Sequence, residues 1–342
     1  MRPINDVTMN LTEAQINIIK GVFYGQAIGD ALGLGTEFMT KTQVNQVYPT
    51  GLKNYYEIIQ DDHRKRWEIG DWTDDTDQFL CIVDAILENK EITELGFAKE
   101  IFNWFKGIPM GIGATTFKVL DMPQYVSHPQ KAAEIVWKLH RKMIAANGAI
   151  MRTSILGLWE FWDNKKVIGN TKNICQSTHF DPRCVGSCVI ITAIISNLMQ
   201  GKKSLTNTEI INIAESYDER ISEYILLTNE KEIEVLNLSD EKTVGYTLKA
   251  LSAGLWTLNN SDSFEEGILA VIDEGGDADS NGAVAGSLLG AKFGYNSIPN
   301  RLKNGLIYKD ILDKKIKLFI ELLESKFNHP NQFQQTIPTN LF

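Results

Sequence analysis

The chain is predicted to be all-α. Apolar residues recur at three- and four-residue steps through most of its 342 residues, capping signals bracket those stretches, and convincing alternating strands are scarce. The length suffices for a substantial core and sits near the upper size for a single one. No linker rich in Pro, Gly or Ser interrupts it, so one domain spanning 1–342 is expected.

The elements justify themselves in order. "TEAQINIIKGVFYGQAIGDALG" (12–33) opens with a capping box, Thr12 with Gln15, and continues with helical periodicity. Gly21, Gly25, Gly29 and Gly33 recur every fourth residue and lay a ridge almost free of side chains along one face, open to close approach by a helix or a ligand. No Gly-Lys-Ser/Thr follows, so the stretch is not a phosphate-binding P-loop. Thr73–Asn89 is amphipathic, with Phe79, Leu80, Val83, Ile86 and Leu87 on the buried side. In "HFDPRCVGSCVIITAIISNLMQG", Asp181 suits the N-cap, Pro182 the first turn and Gly201 the stop. "DSNGAVAGSLLGAKFGY" is a further helix, with Ala283, Gly286 and Gly290 small enough for close packing. Residues 201–245 are more polar and are expected to form peripheral helices; the Pro-interrupted tail, 328–342, is expected to be ragged.

Composition excludes some functions. A hydrophobic content of 43%, a charged content of 23% and a formal charge of −9 describe an ordinary acidic globular protein. Nucleic acid and anionic membranes both require a basic surface, so neither is an expected partner. The N-terminus has no apolar signal-peptide core, and the longest apolar run, Val189–Met199, is half of the ~20 residues a bilayer span requires. A cytoplasmic monomer is expected. Cys81, Cys175, Cys184 and Cys188 read as reduced, buried thiols. Cys175, His179, Cys184 and Cys188 also offer four soft ligands, but without a C-x2-C knuckle, and three of them share one helix, which disfavours zinc.

Chemistry concentrates in two acidic runs. "GDWTDDTDQF" (70–79) carries Asp71, Asp74, Asp75 and Asp77, and "DEGGDADSNG" (273–282) carries Asp277 and Asp279 followed by Ser280. Solvated loops are one reading of both. The second run matches the first half of an EF-hand loop, but position twelve is Leu288 instead of a bidentate Glu, so that template fails. The alternative is a shared cation site: both runs place carboxylates and hydroxyls at the start of a helix heading into the core. Such hard oxygen ligands suit Mg²⁺ or Mn²⁺.

Five blocks then occur in order: "GDALGLGTEFM" (29–39), "WTDDTDQFL" (72–80), "NGAIMR" (147–152), "STHFDPR" (177–183) and "GGDADSNGAVAGSLLGAKFG" (275–294). Together they resemble the ADP-ribosylglycohydrolase family, and the first block looks most like its bacterial dinitrogenase-reductase-activating members. The resemblance implies a compact orthogonal multi-helix bundle with a binuclear Mg²⁺ or Mn²⁺ centre. It implies Thr73, Asp74, Asp75, Asp277, Asp279 and Ser280 as metal ligands, with Asp75 and Asp279 also serving catalysis. Glu37 matches a mobile acidic residue that closes over the metals; it falls outside both acidic runs and is expected to gate or position. Asn147 and Gly148 match a turn near the substrate diphosphate, and His179 a histidine near the ADP-ribose, although a helix-entry histidine bonded to backbone is an alternative. Asp71 and Asp77 are not carried over as ligands and are expected to be solvated or adjacent to the site. Arg152 and Arg183 are expected as structural ion-pair partners. Gly111 lies in a substrate-side segment where arginine-specific bacterial relatives often carry Asp, which opens the question of acceptor specificity.

The implied reaction is hydrolysis of the bond joining C1″ of ADP-ribose to an acceptor, an arginine or serine side chain of a modified protein. Two alternatives accompany it: a hydrolase of a free derivative such as O-acetyl-ADP-ribose, and a non-enzymatic, crystallin-like relative. The complete ligand set argues against the latter.

Overall fold

The structure, a computed structural model, describes residues 10–328. The ragged tail expected from 328 onward therefore lies, from 329, outside the described residues. Fifteen α-helices follow one another among the described residues. The first eight are α1 (Glu13–Gly33), α2 (Lys41–Val47), α3 (Asp74–Asn89), α4 (Glu94–Lys106), α5 (Ala114–Leu120), α6 (Pro129–Leu139), α7 (Asn164–Gln176) and α8 (Pro182–Met199). Then come α9 (Asn207–Glu215), α10 (Arg220–Leu227), α11 (Thr247–Asn260), α12 (Phe264–Asp273), α13 (Ala278–Phe293), α14 (Asn300–Gly305) and α15 (Lys309–Asn328). No strand forms among the described residues; one isolated bridge pairs Ala146 with Tyr246. The all-α expectation holds.

The starts of the key helices follow the local chemistry. Thr12 and Gln15 close the capping box of α1, Thr73 caps α3 by accepting from the Asp75 amide, and Asp181 caps α8 with Pro182 at its first position. Gly201, with φ +70°, follows the end of α8.

The glycine ridge of α1 meets a helix, and α13 is that helix. The two run antiparallel with backbones almost touching. A Cβ on Gly21 would fall 2.1 Å from the Gly290 carbonyl oxygen, one on Gly25 1.9 Å from that of Gly286, and one on Gly29 1.9 Å from that of Gly282. Gly33 stands in the same relation to Ala278. The consequence is functional, because an antiparallel pair in this register puts the end of α1 beside the start of α13. Gly25→Ala is expected to cost about 2 kcal/mol or more, since a backbone carbonyl must move to admit the methyl group. A lower urea midpoint with unchanged slope is the expected reading; an unchanged midpoint would mean the pair separates at little cost.

Phe23, Phe79, Trp159 and Phe319 are fully buried around this pair. α8 is long and apolar enough to cross a membrane by composition, but 78% of it is buried inside the protein, as befits a core helix. The four cysteines are free and buried. The 201–245 segment is only partly peripheral. Ile210, Ile221 and Ile225 anchor its helices in the core, and Val244 and Gly245 at its end reach the main cavity.

Candidate active site

Asp30 joins α1 to the first acidic run. Fully buried within α1, its carboxylate accepts from the backbone N–H groups of Thr73 and Thr76, both at 2.9 Å. These are donors that the first turn of α3 leaves free. The α1–α13 pairing delivers the second run to the same place. The Thr73 hydroxyl lies 3.2 Å from Asp75 Oδ2 and 3.4 Å from Asp279 Oδ2, so the two runs meet across it.

The remaining carboxylates are held in place. Gln78 Nε2 donates to Asp74 Oδ2 at 2.8 Å, and Asn147 Nδ2 to Asp277 Oδ2 at 2.7 Å. The Ser280 amide donates to Asp279 Oδ1 at 2.8 Å. Asp75 Oδ1 is buried with no partner among the described residues. Glu37, distant from both runs in sequence, arrives because the loop after α1 is tied to the start of α13: the Phe38 amide donates to the Gly276 carbonyl, and the Gly276 amide to that of Met39. Ligand oxygens of Glu37, Asp277 and Asp279 all lie within 4.8 Å of one another.

The fields here are one-sided. Burial, then the neighbouring Glu37, Asp77 and Asp277, pushes Asp74 up to about 7. Burial and Glu37 push Asp277 up to about 6, and burial with neighbouring carboxylates raises Asp75 and Asp279 well above the usual range. Crowded, buried carboxylates with an unpartnered oxygen are a donor set that fits hard divalent cations.

All eleven residues singled out in the sequence line one cavity of about 600 Å³: Glu37, Thr73, Asp74, Asp75, Gly111, Asn147, Gly148, His179, Asp277, Asp279 and Ser280. His179 is not bonded to backbone through its ring. Arg152 donates to the Thr178 hydroxyl, whose oxygen lies 2.8 Å from His179 Nδ1, and His179 Nε2 is buried with no partner among the described residues. Burial, then Arg152, depresses the ring to about 3, so it is neutral. Gly148 makes room for it, since a Cβ there would fall 2.8 Å from His179 Cε1.

Three expectations change. Of the two alternatives for Asp71 and Asp77, the adjacent one holds and the solvated one does not: both line a cavity wall with Thr73 and Asp74, Asp71 is 6% exposed, and Asp77 accepts from the indoles of Trp72 and Trp104, both at 3.0 Å. Arg152 makes no ion pair among the described residues; its guanidinium bonds to Gln78 Oε1 and Thr178. Arg183 does pair with Asp181, at 2.7 Å.

A match to a family model, described as ADP-ribosylglycohydrolase, runs over residues 11–330. The chain belongs to the ADP-ribosylglycohydrolase family. ADP-ribosylarginine hydrolase Tri1 of Serratia proteamaculans is 25% identical over 303 residues, covering 85% of this chain and 75% of that protein. ADP-ribosyl-[dinitrogen reductase] glycohydrolase of Rhodospirillum rubrum is 25% identical over 289 residues, covering 82% and 87%. A solved structure, an ADP-ribosylglycohydrolase-related protein complex, superposes with TM-score 0.72 at 21% identity, covering 91% of this chain and 99% of that one. That likeness speaks for the fold.

Sequence reasoning missed Asp30, His63 and Arg66. Asp30 had a signal, a lone acid within the buried glycine stripe of an ADP-ribosylglycohydrolase helix. His63 and Arg66 had none, since they lie in a single 3₁₀ turn, Arg64–Arg66, and at its cap, too short to show a periodicity. Arg66 Nη2 donates to His63 Nδ1 at 2.8 Å, which leaves Nε2–H to donate to Glu37 Oε2 at 2.7 Å.

Proposed function

We propose that this chain hydrolyses the C1″ bond between ADP-ribose and an acceptor, foremost an arginine side chain of a modified protein, with two Mg²⁺ or Mn²⁺ ions as cofactors. The observation that carries the reading is the convergence of Thr73, Asp74 and Asp75 with Asp277, Asp279 and Ser280 at one cavity. Two relatives, an ADP-ribosylarginine hydrolase and an ADP-ribosyl-[dinitrogen reductase] glycohydrolase, support the substrate class.

Those six residues would hold the metals, which when bound would supply the field that draws an anionic diphosphate into an acidic protein and would lower the pKa of a nearby water. The protein's own groups do the rest. Cleavage builds positive charge on the distal ribose, and ionised Asp75 and Asp279 beside it stabilise that charge. Asn147 and Gln78 fix Asp277 and Asp74 by donating to them. Neutral His179 offers its unpartnered Nε2 to the substrate, with Gly148 leaving the space for it. Glu37, oriented by His63, positions the reacting end.

Incubation with ADP-ribosyl-arginine and ADP-ribosyl-serine peptides tests the reading. Free ADP-ribose is expected from the arginine peptide with Mg²⁺ and not without it. Release from neither peptide would overturn the proposal. Glu37→Ala is expected to lower turnover ~10-fold or more while metal content stays at the wild-type value, because all six ligands remain. Loss of one metal equivalent would instead make Glu37 a ligand.

A further inference from the structure

A second cavity, about 240 Å³, opens off the first. The two share Trp67, Thr73, Asp74, Met110 and Gly111 as walls. Gly111 keeps them in contact: a Cβ there would lie 3.0 Å from Asp74 Oδ1 and 3.5 Å from Trp67 Cζ2, in the passage between them. The second cavity reaches beyond to Asp71, Trp72, Asp77 and Tyr308.

Its chemistry is specific. Trp72 and Tyr308 meet edge to face at 5.6 Å, so aromatic rings form much of the wall. Asp77 is spent, with both oxygens taken by indole N–H groups. Asp71 is not. It is nine-tenths buried and lines the cavity, and among the described residues no side chain pairs with its carboxylate. Arg66 stacks on Trp67 but lines only the main cavity. A buried carboxylate lacking a cation, walled by aromatic rings, suits a flat and weakly hydrated cation better than a compact ammonium or a neutral group.

We propose that this side cavity is the acceptor subsite and takes a guanidinium, held by Asp71 against Trp67, Trp72 and Tyr308. The inference rests on the hydrolase reading, because the acceptor must leave from the carboxylate cluster and Asp74 borders both cavities. It assigns acceptor recognition to Asp71, across the gap that Gly111 leaves open.

The test is binding, independent of turnover. Mg²⁺-loaded protein is titrated with Nα-acetyl-arginine amide and with its neutral isostere, Nα-acetyl-citrulline amide, by calorimetry. The arginine compound is expected to bind at least about 10-fold more tightly, as a charge-assisted contact implies. Asp71→Asn is expected to erase that preference without changing the melting temperature. Tyr308→Ala, a change at a part-exposed wall, is expected to weaken the arginine compound several-fold. Equal binding of the two compounds, or an undiminished preference in Asp71→Asn, would overturn the subsite. Arginine preference that depends on Asp71, in a protein that releases no ADP-ribose, would support the subsite and sink the hydrolase reading. Hydrolysis of the arginine peptide with no such preference would do the reverse.

Discussion

Asp75→Asn and Asp279→Asn are each expected to lower turnover by about two orders of magnitude or more, and the double variant is expected to be scarcely worse than either. The two residues belong to runs at opposite ends of the chain, yet one hydroxyl, that of Thr73, lies within 3.4 Å of a carboxylate oxygen of each. Groups that serve one centre fail together, so removing the second subtracts little once the first is gone. Folding survives, because each change is isosteric and removes one of several mutually repelling buried charges. In the absence of metal, either variant is expected to melt at or above the metal-free wild type. Steady-state turnover and metal content of the two singles and the double decide the matter. Mild losses that add, with metal content unchanged, would show that the runs act separately and would remove the basis for a shared centre.

The second large effect is on stability. Stripped of divalent metal, the protein is expected to melt several degrees lower at pH 8 than at pH 5, and saturating Mg²⁺ is expected to restore the pH 8 value. Burial raises Asp74 to about 7, Asp277 to about 6, and Asp75 and Asp279 further, whereas the unfolded chain ionises these groups near 3.8. A folded state that binds protons the unfolded state releases loses stability as pH rises, here from about 4 to about 7. The carboxylates with lowered pKa, such as Asp61 and Asp218, lose their contribution only below that window. His179 works in the opposite direction, since its unfolded ring takes up a proton below about 6.5 while the buried one stays neutral. It is one group against several. At roughly 1–2 °C per kcal/mol for a chain of this length, a net difference of several kcal/mol is measurable by differential scanning fluorimetry in EDTA. A stripped protein as stable at pH 8 as at pH 5, and indifferent to Mg²⁺, would count against a cation site in the carboxylate cluster.

Much of the architecture was legible because local rules and tertiary packing agree. The Thr12–Gln15 capping box, the Asp181–Pro182 start and the four-residue glycine spacing each bear on backbone geometry, which a side chain or its absence determines locally. The two acidic runs were legible for the opposite reason: carboxylates crowded at helix starts are unfavourable unless something offsets them, so the pattern itself called for an explanation.

Asp71 shows where that reasoning stops. In sequence it is one more acid in a polar stretch, and solvent was the simplest partner for it. The fold instead places it under Trp72 and beside Tyr308, which is remote in the chain, and the same placement turns a surface charge into a buried one. Residues 201–245 are a milder case: low hydrophobicity marked them as peripheral, but the Asn147 amide donates to the Gly245 carbonyl and draws the end of the segment to the cavity wall.

The sequence by itself determined the helical class, the two clusters, their hard-ligand chemistry and the small-residue face of α1, all properties of neighbours in the chain. Which face met which was decided by tertiary structure. The ridge on α1 could have received a ligand, and only the fit of Gly21, Gly25 and Gly29 against Gly290, Gly286 and Gly282 shows that it receives a helix. That antiparallel contact sets the register that carries Glu37 to Asp277 and Asp279, and Asp30 ties the third helix to the same point. His63, Arg66 and the cavity behind Gly111 are products of the convergence of distant loops. No periodicity or spacing encodes them, because the energy that places them comes from contacts between residues far apart in the chain.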